Sequence, residues 1–172
     1  MTVYLDATTL IALGSVDELD LLTTFDRDLV VLDLVSEEVT TEPARTALRQ
    51  FRERIDTKTP TSVDEAAIEQ AEDMLGETEQ NGDVALVARV LAHDDVVIVS
   101  DDQRVRTIAQ TLGATVTGTI GVIVRAVSAG RVTADEGTEL IRRLDSHGLH
   151  LTGELREQAD DLIADAATDR DN

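Results

Sequence analysis

Two kinds of hydrophobic pattern run along the chain. Short unbroken apolar runs rich in β-branched residues occur at 3–5, 29–32 and 96–99, and a weaker one at 114–116. The first three lead straight into Asp6, Asp33 and Ser100, as strands buried in a parallel sheet commonly do. Between them, apolar residues recur at helical spacing over 10–25 (broken near Gly14), 34–40, 43–55, 63–79 and 84–93, and again over 103–112. Alternating strand and helix predicts an α/β domain with a mostly parallel sheet. The last third reads as helical: 120–129, a turn at Gly130, then 134–146 and 153–166, with a polar tail over 168–172 expected to fray.

Several helix starts are signed. Ser62 with Glu65, and Thr133 with Glu136, have capping-box spacing, and Pro43 suits a first helical position. No repeat or linker divides the chain, and 172 residues suffice for one compact domain. The expected organisation is a domain over 1–151 with a packed C-terminal helix and acidic tail over 152–172.

Composition narrows the function. A formal charge of -20, from 35 Asp plus Glu against 15 Lys plus Arg, excludes a purely electrostatic nucleic-acid binder. Tyr4, Phe25 and Phe51 are the only rings, too few for a base-stacking platform. The lack of Cys removes disulfides, thiolate zinc sites and thiol nucleophiles. The N-terminus lacks a basic n-region, and no apolar run approaches the about 18 residues of a membrane span, so a cytoplasmic protein is expected. Lys58 is the only lysine and Asp outnumbers Glu, a pattern expected of a halophile. At about 1 M salt the Debye length shrinks to about 3 Å, so the charge by itself does not veto a nucleic-acid substrate.

Ligands of open α/β sheets bind at the carboxyl ends of the strands, which draws attention to the acids there. Asp6 ends the first strand, and Asp101 and Asp102 follow the third apolar run. A carboxylate beside a buried strand needs a partner: a cation, a metal or a helix N-terminus. Arg104 or Arg106 is a possible ion-pair partner, Asp102 a possible N-cap for 103–112, and Asp6 a possible cap as well. Glu38 lies on the short helix after the second strand and Asp83 opens a helix. Singly, each also fits a solvated face or a favourable place in a helix dipole.

In this order the four acids resemble those of PIN-domain proteins, the nuclease family that includes many toxins of prokaryotic toxin-antitoxin pairs. The resemblance rests on Val3-Tyr4-Leu5-Asp6-Ala7-Thr8-Thr9, on residues 35–39 around Glu38, on Gly82-Asp83 before Val84-Ala85-Leu86, and on Ser100-Asp101-Asp102-Gln103-Arg104. Gly118-Thr119-Ile120-Gly121 resembles a Gly-Thr-x-Gly stretch of one subfamily. It implies a three-layer α/β/α fold with a four- or five-stranded sheet and extra C-terminal helices. It places catalytic roles on Asp6, Glu38, Asp83 and Asp102, and metal ligation on Asp6, Asp83 and Asp102 or Asp101. The doublets Glu37-Glu38 and Asp101-Asp102 leave the register open by one residue, and Asp83 stands where the subfamily commonly has Glu. Thr9, Ser100 and Arg104 are the expected substrate-side contacts, though Thr9 also suits a cap and Ser100 a turn. Hydrolysis of a phosphodiester needs charge neutralisation and hydroxide near neutral pH, which Mg²⁺ or Mn²⁺ on oxygen ligands provides. Without the cation, at least one crowded carboxylate should have a raised pKa.

Other sites of this general kind are excluded. A haloacid-dehalogenase-type phosphatase needs a second Asp where Thr8 stands and a suitably placed lysine, and a response-regulator receiver lacks its paired acids and late lysine. His93, His147 and His150 form no metal spacing. Arg45, Arg49 and Arg52 share one helix face; ion pairs with Glu42 and Glu53 are the expected reading, phosphate contacts the alternative. The resulting expectation is a Mg²⁺- or Mn²⁺-dependent ribonuclease acting on RNA, with a small antitoxin partner. A non-catalytic PIN-like module is the alternative. The apolar content of 10–22 and of Ile120, Val122, Ile123, Val124, Val127, Leu140, Ile141 and Leu144 suggests a homodimer, or else cover by a helix over 155–163 in the same chain.

Overall fold

A computed structural model describes residues 2–55 and 62–171. Lys58, the only lysine, lies outside them. The sheet contains β1 (Thr2–Leu5), β2 (Asp28–Val30), β3 (Val96–Val99) and β4 (Thr115–Thr117), in the order β2-β1-β3-β4. Every pairing is parallel, with Tyr4 opposite Val30 on one side and Ile98 on the other, and Ile98 opposite Val116. β3 is buried throughout, and Val3, Tyr4 and Leu5 of β1 are too. This explains why both read as continuous apolar runs rather than as alternation.

The chain leaves β1 toward β2 and then returns past β1 to β3 and β4. Right-handed crossovers therefore put the connecting helices on opposite faces of the sheet, giving three layers. One group comprises α4 (Glu65–Leu75), α5 (Gly82–Ala92) and α6 (Gln103–Thr111), around Ala71, Leu75, Val84, Val87 and Ala88. The other comprises α1 (Ala7–Ser15), the 3₁₀ stretch Leu19–Phe25, α3 (Ala44–Arg54), α7 (Thr119–Ser128), α8 (Ala134–Ser146) and α9 (Gly153–Asp171). The short α2 (Asp33–Glu38) packs against α5. No described helix is long and apolar enough to cross a membrane.

Several boundaries correct the sequence reading. The helix expected from residue 10 starts at Ala7, because the Asp6 carboxylate accepts from the Ala7 N–H. It ends at Ser15, capped by Val16, and a separate 3₁₀ helix follows over Leu19–Phe25, so the break falls just after Gly14 and Ser15. Asp64, not Ser62, caps α4, accepting from the Ala67 N–H at 3.0 Å. That helix stops at Leu75 rather than 79 because Gly76 turns left-handed, with φ of 68°. Pro43 is the cap of α3, one place before its first helical residue. The second strand ends at Val30, the fourth runs one residue later than expected, and the 168–172 tail is helical through Asp171. The Thr133–Glu136 capping box is present.

Most of the apolar residues of α7 and α8 are covered within the chain, with Ile120 and Val124 half-buried. Val122, Ile123, Val127, Leu140, Ile141 and Leu144 are buried, together with Ala159, Ile163 and Ala166 of α9, in the cluster that also holds the sheet. This is the same-chain use named above as the alternative to a dimer.

Candidate active site

The topological switch point lies between β1 and β3, where the chain order reverses. Asp6 stands at the end of β1, its N–H continuing the ladder to the Val99 carbonyl at 3.0 Å. The residue is 1% exposed. Oδ1 accepts from the Ala7 N–H at 2.7 Å, and Oδ2 accepts from the hydroxyls of Thr8 at 2.7 Å and Ser100 at 2.6 Å. These bonds satisfy the buried charge and fix its orientation while leaving lone-pair capacity on the carboxylate. Ser100 also accepts from the Asp102 N–H at 3.0 Å, so β1 and the turn after β3 are locked together.

The Asp101–Asp102 doublet splits. Asp102 caps α6, its Oδ1 accepting from the N–H groups of Arg104 at 2.8 Å and Val105 at 2.9 Å, and it lies close enough to Asp83 to act on it electrostatically. Asp101 turns toward the start of α7: it accepts from the Thr119 N–H at 2.8 Å, from the Thr119 hydroxyl, and from the Thr9 hydroxyl at 3.4 Å. The Gly118-Thr119-Ile120-Gly121 stretch is explained by this contact. A Cβ on Gly118 would fall 2.5 Å from Asp101 Oδ1 and 2.9 Å from an Arg106 nitrogen, which itself donates to the Ser100 carbonyl at 2.8 Å.

Glu38, the last residue of α2, reaches across to α5, where its Oε1 accepts from the Gly82 N–H at 2.6 Å. A Cβ at Gly82 would sit 2.7 Å from Oε2 of the same carboxylate, so glycine allows this approach. Asp83 follows, its helix capped by Asn81 accepting from the Val84 N–H at 2.9 Å. Arg104 reaches back from α6 and donates to Asp83 Oδ2 at 3.0 Å, Glu77 Oε1 at 2.9 Å and the Leu75 carbonyl at 3.1 Å. Arg104 is thus engaged with Asp83 and Glu77 rather than with Asp101 or Asp102, and Arg106 forms no ion pair with either among the described residues.

Asp6, Glu38, Asp83 and Asp102 form one electrostatic group. Burial pushes the Glu38 carboxyl above its ordinary range against the Gly82 bond that lowers it, and the charges of Asp83 and Asp6 push it further. Burial likewise raises Asp83, opposed by the Arg104 hydrogen bond and reinforced by Asp6 and Asp102. The repulsion expected of crowded carboxylates is present. Among the described residues no three His, Cys, Asp or Glu side chains stand close enough together to hold a metal ion as they are. The donor set still suits a hard divalent cation: four carboxylates on four separate elements, with the Arg104 guanidinium bonded to one of them, Asp83.

Sequence reasoning missed Glu77 and the Gly82 N–H. Both act through pairings between distant elements, and neither carries a local signal beyond Gly82 preceding Asp83. His93 and His147 stand at the C-terminal ends of α5 and α8, and His150, in the loop before α9, lines a cavity that also includes Asp101.

Fold and site together define a parallel α/β protein with a carboxylate cluster at the sheet's switch point. The sequence matches the PIN domain profile over residues 2–164, and the chain belongs to that family, whose members are in general metal-dependent nucleases. No curated protein and no solved structure matches the chain.

Proposed function

We propose that this PIN domain is a Mg²⁺- or Mn²⁺-dependent endoribonuclease. The observation that supports it is the convergence of Asp6, Glu38, Asp83 and Asp102 at the C-terminal edge of β1 and β3, each on a different element and each acting on another's charge. When bound, the cation supplies charge neutralisation and water activation for phosphodiester hydrolysis. Asp6, Asp83 and Asp102 would hold it, with Glu38 positioned to take a proton, since its raised pKa brings it nearer neutrality. Ser100 and Thr8 keep the Asp6 carboxylate in one orientation. The Arg104 hydrogen bond to Asp83 opposes the burial that raises its carboxyl, so it favours the charged form that would hold a cation. Asp101 acts as a structural brace rather than a ligand.

Asp6→Asn tests this. It removes a ligand charge at nearly constant volume, and cleavage of single-stranded RNA should fall below detection while the far-UV circular dichroism spectrum is retained. EDTA should abolish wild-type cleavage. Cleavage that persists in the variant or in EDTA counts against the mechanism.

One observation favours a second reading, a PIN-like module that binds without cleaving: the Asp83 carboxylate is bonded to Arg104. Absence of cleavage by wild-type protein with Mn²⁺, under conditions where RNA is bound, would select it. A toxin-like role with a small antitoxin is proposed from the resemblance alone, and a small reading frame beside the gene would support it. A cytoplasmic, halophilic setting is proposed from the charge pattern, and homodimerisation from the exposed Leu155 and Leu162 on α9.

A further inference from the structure

In a chain of charge -20, α3 is an exception: Arg45, Arg49, Arg52 and Arg54 stand against the single acid Glu53. Ala44, Ala47, Leu48 and Phe51 bury its other side, so the arginines are not the core stripe of the helix. Arg45, Arg49 and Arg52 recur four and three residues apart and therefore share a face. They line a groove of about 350 Å³ with Leu48 and Glu53, whose far wall is Ser36 and Val39. Ser36 belongs to α2, the helix that ends at Glu38. The groove thus lies across one helix, about 10 Å thick, from the acid site.

The ties on these guanidinium groups are weak. Arg45 pairs with Glu42 at 3.0 Å, but both side chains are exposed. Arg52 donates to Ser36 Oγ at 3.0 Å and stands 3.6 Å from Asp33, whose side chain is 90% exposed. Arg49 is exposed and forms no ion pair among the described residues. Exposed pairs of this kind contribute little and exchange partners readily. By contrast, Arg104 is tied to two carboxylates and a carbonyl, and Arg143 to Glu18 and the Val16 carbonyl.

We infer that the Arg45–Arg49–Arg52 face of α3 carries the phosphate backbone of an RNA strand into the acid site, an inference that rests on the nuclease reading. Guanidinium forks match phosphate oxygens bidentately, and such direct contacts survive the screening that abolishes long-range attraction. Tyr4, Phe25 and Phe51 are all buried, so no ring is available to stack a base. The face reads charge and spacing, not sequence. It also answers how so acidic a chain holds a polyanion: the repulsive carboxylates and the attractive guanidinium groups occupy different sides of α2.

Fluorescence anisotropy with a labelled oligouridylate tests this, in the Asp6→Asn background with Mg²⁺ so that the strand stays intact, over a series of KCl concentrations. Replacing Arg45, Arg49 and Arg52 together by Gln should weaken binding about tenfold per arginine, the scale of a charge-assisted contact. The slope of log affinity against log salt should flatten by about 0.7 for each, about 2 in all. Arg142→Gln, on an exposed pair of α8, should change neither. If the triple variant melts early, Arg49→Gln alone should give its single share. An unchanged slope, an equal loss in Arg142→Gln, or displacement by polyglutamate as readily as by RNA overturns the inference. Where the wild-type chain still cleaves RNA, such a result leaves the nuclease reading standing; a chain that neither binds nor cleaves RNA overturns both.

Discussion

Glu38 and Asp83 are the two carboxyls of the group whose ionisation the fold opposes, chiefly through burial. Both carboxyls are raised above their ordinary values of 4.5 and 3.8, so between those values and the raised ones the folded chain holds more protons than the unfolded chain. Stability of the metal-free protein from these two groups therefore rises as pH falls through that interval and is lost as they ionise above it. Divalent affinity runs the other way, increasing with pH, because the ligands must be charged. Glu38→Gln should raise the metal-free melting temperature at about pH 8 and leave it nearly unchanged at about pH 4, below the ordinary value, measured in EDTA by circular dichroism. An equal shift at both pH values would mean that burial and the neighbouring charges place no penalty on the ionised Glu38. At this scale the sequence was informative about residue type and silent about partners. Asp6 and Asp102 were recognisable because a capping position and a strand end coincide there. Which member of Asp101–Asp102 turns away depends on Thr119, eighteen residues beyond Asp101, and no local pattern encodes that choice.

Among the elements, α9 shows how a weak amphipathic pattern can still decide packing. Ala159, Ile163 and Ala166 follow four- and three-residue steps and close the space beside α7 and α8, while Leu155 and Leu162 remain exposed. Val127 and Ile141, both buried, would lose cover without it. Ile163→Ala should cost about 2–5 kcal/mol, a fall of roughly 5–15 °C in melting temperature for a chain of this size. A change of under about 2 °C, read by calorimetry, would show that α9 is dispensable to the core. Element identity was legible because β-branched runs and helical spacing are local properties. Boundaries were legible only where a cap is local in sequence, as at Thr133. Asp64 displaced Ser62 because its carboxylate reaches the Ala67 N–H, and the left-handed Gly76 ended α4 short of where periodicity alone would carry it.

For the whole molecule, the charge of -20 is an energetic load that salt relieves. Raising KCl from about 0.1 M to about 1 M shortens the Debye length from about 10 Å to about 3 Å. The melting temperature should rise by more than about 5 °C over that range, equivalent to about 2 kcal/mol. A midpoint independent of KCl would remove the halophile proposal. The hydrogen bonds around the acids have a mechanical consequence as well. Asp6, Ser100 and Asp102 are cross-linked to one another and to the starts of α1 and α6, and Asp101 ties the same turn to α7. Glu38 is held by one backbone N–H and Asp83 by one arginine. The two halves of the site thus differ in how they are anchored: Asp6, Asp101 and Asp102 are braced by several hydrogen bonds at the sheet's edge, whereas the Glu38 and Asp83 side chains each rest on one tie, which a single substitution, at Gly82 or at Arg104, would undo.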